Sequence, residues 1–206
     1  MTPAWFVQEA FSSVLAAPFE EVPLSTGGPM CRAAATFGLR SLPDLARFLF
    51  ELPYGRVSGR EPHAPLIERK GTCSSKTRVL WWASRELGVD VEPIEGLVWL
   101  EPPEDAAELR DDLDALGLDG VPELHVYVRY GGRRFDLTDA TRVRPAWTLS
   151  RERRLEDDDF ATKAARHRRT IDELGLDSSL VWSLRERCIA SSRTRWNRAW
   201  RSSRLK

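Results

Sequence analysis

Three residues in this chain have types and surroundings suited to acyl-transfer chemistry: Cys73, His125 and Asp136. Cys73 follows Gly71-Thr72 and opens a stretch in which Val79, Leu80, Ala83 and Leu87 recur at helical spacing, with Gly88 as the expected C-cap. Thr72 is a natural N-cap, and Gly71 is expected to allow a sharp turn before it. A thiol in the first turn of a helix meets orphan N–H groups and the positive end of the helix dipole. Both favour thiolate over thiol. The same N–H groups suit a developing oxyanion.

A nucleophilic thiol also needs a base, and the segment ELHVYVRY-GG-RRFDLT offers one. It reads as a hairpin, with Gly131-Gly132 as a two-residue turn needing positive φ. That turn pairs Tyr130 with Arg133 and Tyr127 with Asp136. One face then holds His125, Tyr127, Arg129, Arg134, Asp136 and Thr138; the other holds Leu124, Val126, Val128, Phe135 and Leu137. The second set is apolar throughout, which favours this register over a one-residue slip. His125 and Asp136 become diagonal neighbours, with Cα atoms about 7–8 Å apart. An imidazole–carboxylate hydrogen bond is within reach, and the carboxylate would fix the tautomer and stabilise the imidazolium.

Gly71-Thr72-Cys73 opening a helix, a His on one strand and Asp136-Leu137-Thr138 on the next resemble the transglutaminase-like superfamily, whose core carries a papain-like Cys-His-Asp arrangement. The resemblance covers about residues 71–138, with the 41–52 helix as a flank. The wider run PYGR…ERKGTCSSK…PELHVYVRYGGRRFDLTD looks like a bacterial branch of it. The sequence departs from the family pattern where Tyr127 replaces a frequent Trp, Leu137 a frequent Pro, and Lys76 and Thr77 small apolar residues. The resemblance implies an α+β fold in which the nucleophile helix packs on an antiparallel sheet, between N- and C-terminal helices.

The other elements fit around that core. Ser41 caps a helix over 41–52, and a strand runs roughly from Val91 to Leu100, interrupted by Pro93 and Gly96. Phe6, Ala10 and Val14 suggest a short first helix, and residues 55–70 read as a polar loop. The acidic stretch 101–119 reads as an amphipathic surface helix or lid. Beyond Pro145 the chain reads as helical, with apolar stripes through Phe160, Ala164, His167, Ile171 and Leu174, then Leu180, Val181, Leu184, Cys188 and Ile189. The expected organisation is one domain over 1–206, with a core at about 41–145 and a C-terminal helical elaboration at about 146–206. Those C-terminal helices are the expected cover for the hairpin's apolar face.

Composition narrows the classes. Hydrophobic residues make up 42% and charged residues 30%, with equal numbers of basic and acidic side chains, so no global field steers the chain to nucleic acid. Cys31, Cys73 and Cys188 are too few and too far apart for a disulfide framework or a zinc pattern, which points to a reducing, cytoplasmic setting. No apolar run is long enough to span a bilayer.

The expectation is a thiol-dependent hydrolase or acyl transferase acting on an amide, ester or isopeptide bond of a peptide, protein or small amide. Cys73 would attack, His125 would shuttle the proton, and Asp136 would orient His125. Thr72, Ser74, Tyr127, Trp82 and Tyr54 are candidates for substrate or oxyanion contacts, and Arg129, Arg56 and His63 are lesser ones. Such a site needs no metal or organic cofactor. Two alternatives stay open: a catalytically silent binding module on the same fold, and a weak nucleic-acid contact through the basic tail after Arg187.

Overall fold

The computed structural model describes residues 7–9, 12–13, 17–102, 106–138 and 147–203. Six strands form one sheet: β1 (Val7–Glu9), β2 (Ser12–Ser13), β3 (Glu92–Leu100), β4 (Val121–Tyr130), β5 (Arg133–Asp136) and β6 (Trp147–Arg154), in the spatial order β1-β6-β3-β4-β5-β2. The central strands β6, β3, β4 and β5 are antiparallel, while β2 joins β5 in parallel at one edge. The class is α+β.

The hairpin forms in the expected register. Tyr130 pairs with Arg133 and Val128 with Phe135, and Gly131 and Gly132 have φ of 55° and 74°. Val128, Phe135 and Leu137 are buried, but the C-terminal helices do not cover them. They pack with residues of α1 (Pro29–Ala35), α2 (Leu42–Glu51) and α4 (Cys73–Glu86) in the main core. The apolar sides of α1 and α2 cover this part of the face, while Val126 packs with Leu155 and Phe160 from the C-terminal part of the chain.

The N-terminal reading needs correcting. Residues 7–9 and 12–13 are edge strands rather than a helix, because β6 and β5 offer open backbone edges that outweigh weak local propensity. The rest of that stretch lies outside the described residues. The 55–70 loop contains a short helix, α3 (Ala64–Glu68), and α1 lies in a stretch broken by glycine and proline.

A second correction concerns the chain after Pro145. Trp147–Arg154 is a strand, and it lies inside the sheet between β1 and β3. Its sequence, WTLSRERR, has little apolar alternation. Its arginines are matched by acids instead: Arg154 meets Glu92 and Arg153 meets Glu95 on β3. Helices resume with α6 (Asp157–Glu173) and α7 (Ser178–Ser203). The acidic segment forms α5 (Ala107–Asp114), whose Leu109 and Leu113 pack with Ile171, Val181, Leu184 and Cys188. It is a surface helix against α7 and not a cover for Cys73. Among the described residues no helix is long and apolar enough to cross a membrane.

The nucleophile helix is tied to the hairpin by a buried lysine. Lys76 is fully buried, and its Nζ donates to the carbonyls of Leu52 (2.6 Å), Leu137 (3.3 Å) and Thr138 (3.4 Å). Gly71 serves this side chain. A Cβ at residue 71 would lie 2.7 Å from Lys76 Cγ, and its φ is not in the left-handed region, so close approach rather than a sharp turn demands glycine. Lys76→Met should therefore destabilise the fold by about 2 kcal/mol or more, since buried carbonyls lose a charged donor. A thermal melt should show Tm falling by about 4–8 °C, and Gly71→Ala should lower it too.

Candidate active site

Cys73 is the first residue of α4. Thr72 Oγ1 accepts from Ser75 N–H at 3.3 Å, and Ser75 Oγ accepts from Thr72 N–H at 2.8 Å. This reciprocal cap fixes the turn that carries the thiol. His125 lies in β4 and Asp136 ends β5. His125 Nε2 is 3.2 Å from Asp136 Oδ1, as their shared face requires. Asp136 Oδ1 also accepts from Thr138 N–H at 2.8 Å and from the Thr138 hydroxyl. The Cys73 and His125 side chains act on each other through a hydrogen bond and through charge, lowering the thiol and raising the ring.

The three groups are nearly sealed, with Cys73 2%, His125 3% and Asp136 8% exposed. Burial pushes the Cys73 thiol up, but the Lys163 ammonium and then the hydrogen bond and charge of His125 outweigh it and bring the thiol down to about 6. Burial pushes His125 down, and the charge and hydrogen bond of Asp136, followed by those of Cys73, raise it to about 9. The thiolate–imidazolium pair is thus the resting form between those values.

Lys163 comes from α6, which roofs the thiol. Its Nζ is 3.6 Å from Cys73 Sγ and 3.1 Å from Glu123 Oε1. Phe160, one turn earlier, packs near Cys73 with Val126 and Leu155, and its ring stacks on Trp81 at 5.8 Å. Asp157 Oδ1 anchors the start of α6 by accepting from Arg78 Nε at 3.0 Å and Trp82 Nε1 at 3.1 Å on the nucleophile helix.

The other candidates divide clearly. Thr72 is the cap, and Ser74 Oγ lies 3.8 Å from the sulfur. Tyr127 is fully buried and its hydroxyl donates to Glu152, so it is not placed to meet substrate; its ring stacks beside His125 at 6.1 Å. Parity placed Tyr127 correctly beside His125, but that ring packs with Ile94 and Val98 of β3 and Leu149 of β6. Trp82 holds Asp157, and Tyr54 lies near the Arg185 guanidinium. Arg129 pairs with Glu92 and Arg56 with Glu186. His63 precedes α3. His167 is packed, as its apolar stripe implied, and lies 2.8 Å from the Pro122 carbonyl. Cys31 and Cys188 are core residues. Among the described residues no group of three or more His, Cys, Asp or Glu is placed to hold a metal ion.

Lys163, Glu123 and Arg185 did not stand out in the sequence. A signal existed for two of them. Lys163 falls between Phe160 and His167 on the apolar arc of its helix, where a lysine is out of place, and Glu123 shares the strand parity of His125. Comparisons with family models, curated proteins and solved structures give no match to this chain. The reading of the site rests on its own geometry.

Alkylation of Cys73 by iodoacetamide should be half-maximal near pH 6 rather than near the ordinary thiol value of 9.0, because the thiolate is lost only as pH falls through 6. Cys31, pushed up to about 12 by burial and then by Glu86, should stay unlabelled at neutral pH. Asp157→Ala should raise the rate plateau for Cys73 by loosening α6, leaving the midpoint in place. Mass spectrometry of partly labelled protein measures all three outcomes.

Proposed function

We propose that the chain is a cysteine-nucleophile hydrolase or acyl transferase of transglutaminase-like type, acting on an amide, ester or isopeptide carbonyl. The observation that carries this reading is the line from Cys73 at a capped helix N-terminus, through His125, to Asp136 at 3.2 Å. The Cys73 thiolate adds to the carbonyl carbon, and the carbonyl oxygen takes the negative charge. Ser75 N–H serves the Thr72 cap and Lys76 N–H the Thr72 carbonyl, which leaves the N–H groups of Cys73 and Ser74 as first-turn donors for that oxyanion. Imidazolium His125 protonates the leaving amine or alcohol as the tetrahedral adduct collapses to a thioester. Neutral His125 then takes a proton from water or an acceptor amine, which attacks the thioester and frees Cys73. Asp136 keeps the ring oriented throughout. Water as acceptor makes the chain a hydrolase; an amine makes it a transferase.

A second reading has one observation in its favour. The sulfur is roofed by α6, and a silent binding module would need no open path to it. Acylation decides between the two. With 4-nitrophenyl acetate the wild type should release nitrophenolate and gain one acetyl group on Cys73. Cys73→Ala should gain none, and His125→Ala should acylate about 10²–10⁴-fold more slowly. Asp136→Asn should keep the fold and lose much of the rate, since the amide presents the wrong partner to the ring. Equal rates in wild type and His125→Ala would establish the silent module.

A further inference from the structure

The wall of the site opposite His125 is built from charges that neither the hairpin nor the helix dipole explains. Glu123, 3% exposed, lies on β4 two residues before His125. Its Oε1 meets Lys163 at 3.1 Å, while its Oε2 accepts from Arg185 and lies 3.7 Å from His167 Nδ1. Arg185 also reaches Glu186, 2.6 Å away, which in turn meets Arg56. Burial holds His167 below its ordinary value. Glu186 and Arg56 lie towards solvent, whereas Lys163, Arg185 and Glu123 are buried, so Lys163 shares the Glu123 carboxylate with a second buried cation. Buried charge is retained where it is paired. Cys73 Sγ, 3.6 Å from Lys163 Nζ, is the other group beside that ammonium able to carry negative charge.

We infer that Lys163 is a catalytic residue of this site, its ammonium holding the charge first on Cys73 Sγ and then on the substrate's carbonyl oxygen, with Glu123 as the positioning residue that aims it. This rests on the acyl-transfer reading above. The bond from sulfur to the carbonyl carbon moves the negative charge only two bonds away from Sγ, to the carbonyl oxygen. A cation already beside Sγ is near both positions, and a pre-placed charge needs no reorganisation during the step. Glu123 cannot follow Lys163 inward, because Arg185 from α7 holds its other oxygen. The groups facing the sulfur are His125 and Glu123 from β4, Lys163 from α6 and Ser74 from α4. Asp136 stands behind His125, and Arg185 and His167 behind Glu123.

The test uses Lys163→Gln, whose amide can still donate to Glu123, Lys163→Arg, which keeps the charge, and His125→Ala as reference. Melts first establish that each variant is folded. In the iodoacetamide pH profile, Lys163→Gln should move the Cys73 midpoint up by about one to three pH units, and Lys163→Arg should restore it towards wild type. Alkylation passes through no oxyanion. At a pH above both midpoints, Lys163→Gln should therefore alkylate like wild type yet acylate with 4-nitrophenyl acetate at least about tenfold more slowly. If Lys163→Gln leaves the midpoint in place while His125→Ala moves it, the inference falls and the triad reading stands. If neither moves it, both fall. A higher plateau with an unmoved midpoint would mark Lys163 as a packing residue of α6 and overturn the inference. Equal acylation in wild type and Lys163→Gln at high pH would overturn the oxyanion role. Should Lys163→Gln not fold, the same profile on Lys163→Met decides the first point.

Discussion

The site depends on a buried ammonium group in the helix that carries the thiol. Lys76 sits one helical turn after Cys73 and donates to backbone carbonyls on both sides: Leu52 at the end of α2, and Leu137 and Thr138 just after Asp136. A buried ammonium group must sit where acceptors converge, and these three carbonyls mark that place. That requirement sets how far the first turn of α4 stands from the end of β5. Thr138 then uses its N–H and hydroxyl to hold the Asp136 carboxylate, and the carboxylate holds His125. The chain of constraints runs from one buried cation to the ring that faces the sulfur.

Placing charge in a nearly dry site has a consequence for access. Burial alone would favour a neutral thiol and a neutral imidazole. Lys163 and Asp136 reverse both preferences, one from the roof and one from the strand. The roof that helps to hold the thiolate is therefore also what hides it.

Much of the site was legible in the sequence because its logic is local. Thr72 before Cys73 is a cap read over four residues, and strand parity with a two-glycine turn set His125 beside Asp136 without tertiary information. The same parity could not say that Tyr127 would be sealed into a small core with Ile94, Val98 and Leu149, since that depends on which strands, β3 and β6, lie beside it in the sheet. Trp147–Arg154 failed for a different reason. A strand whose charges are answered across the sheet by Glu92 and Glu95 carries no apolar alternation to betray it. Lys163 needs a contact spanning 90 residues of sequence, and only its misfit on an apolar arc hinted at it.

The two halves of the molecule are held by different forces. α2 and α4 bury many apolar side chains, among them Leu42, Leu45, Leu49, Val79, Leu80 and Trp81. α6 buries only His167 and Ile171. Its attachment is mostly ionic: Asp157 to Arg78, Arg166 to Glu95, and Lys163 to Glu123. Apolar packing resists separation because exposed apolar surface costs free energy. The inner ion pairs of α6 resist it too, because Glu123 and Glu95 are buried and would be left unpaired. The roof of the thiol is thus held mainly by charge, and the helix that carries Cys73 mainly by apolar packing.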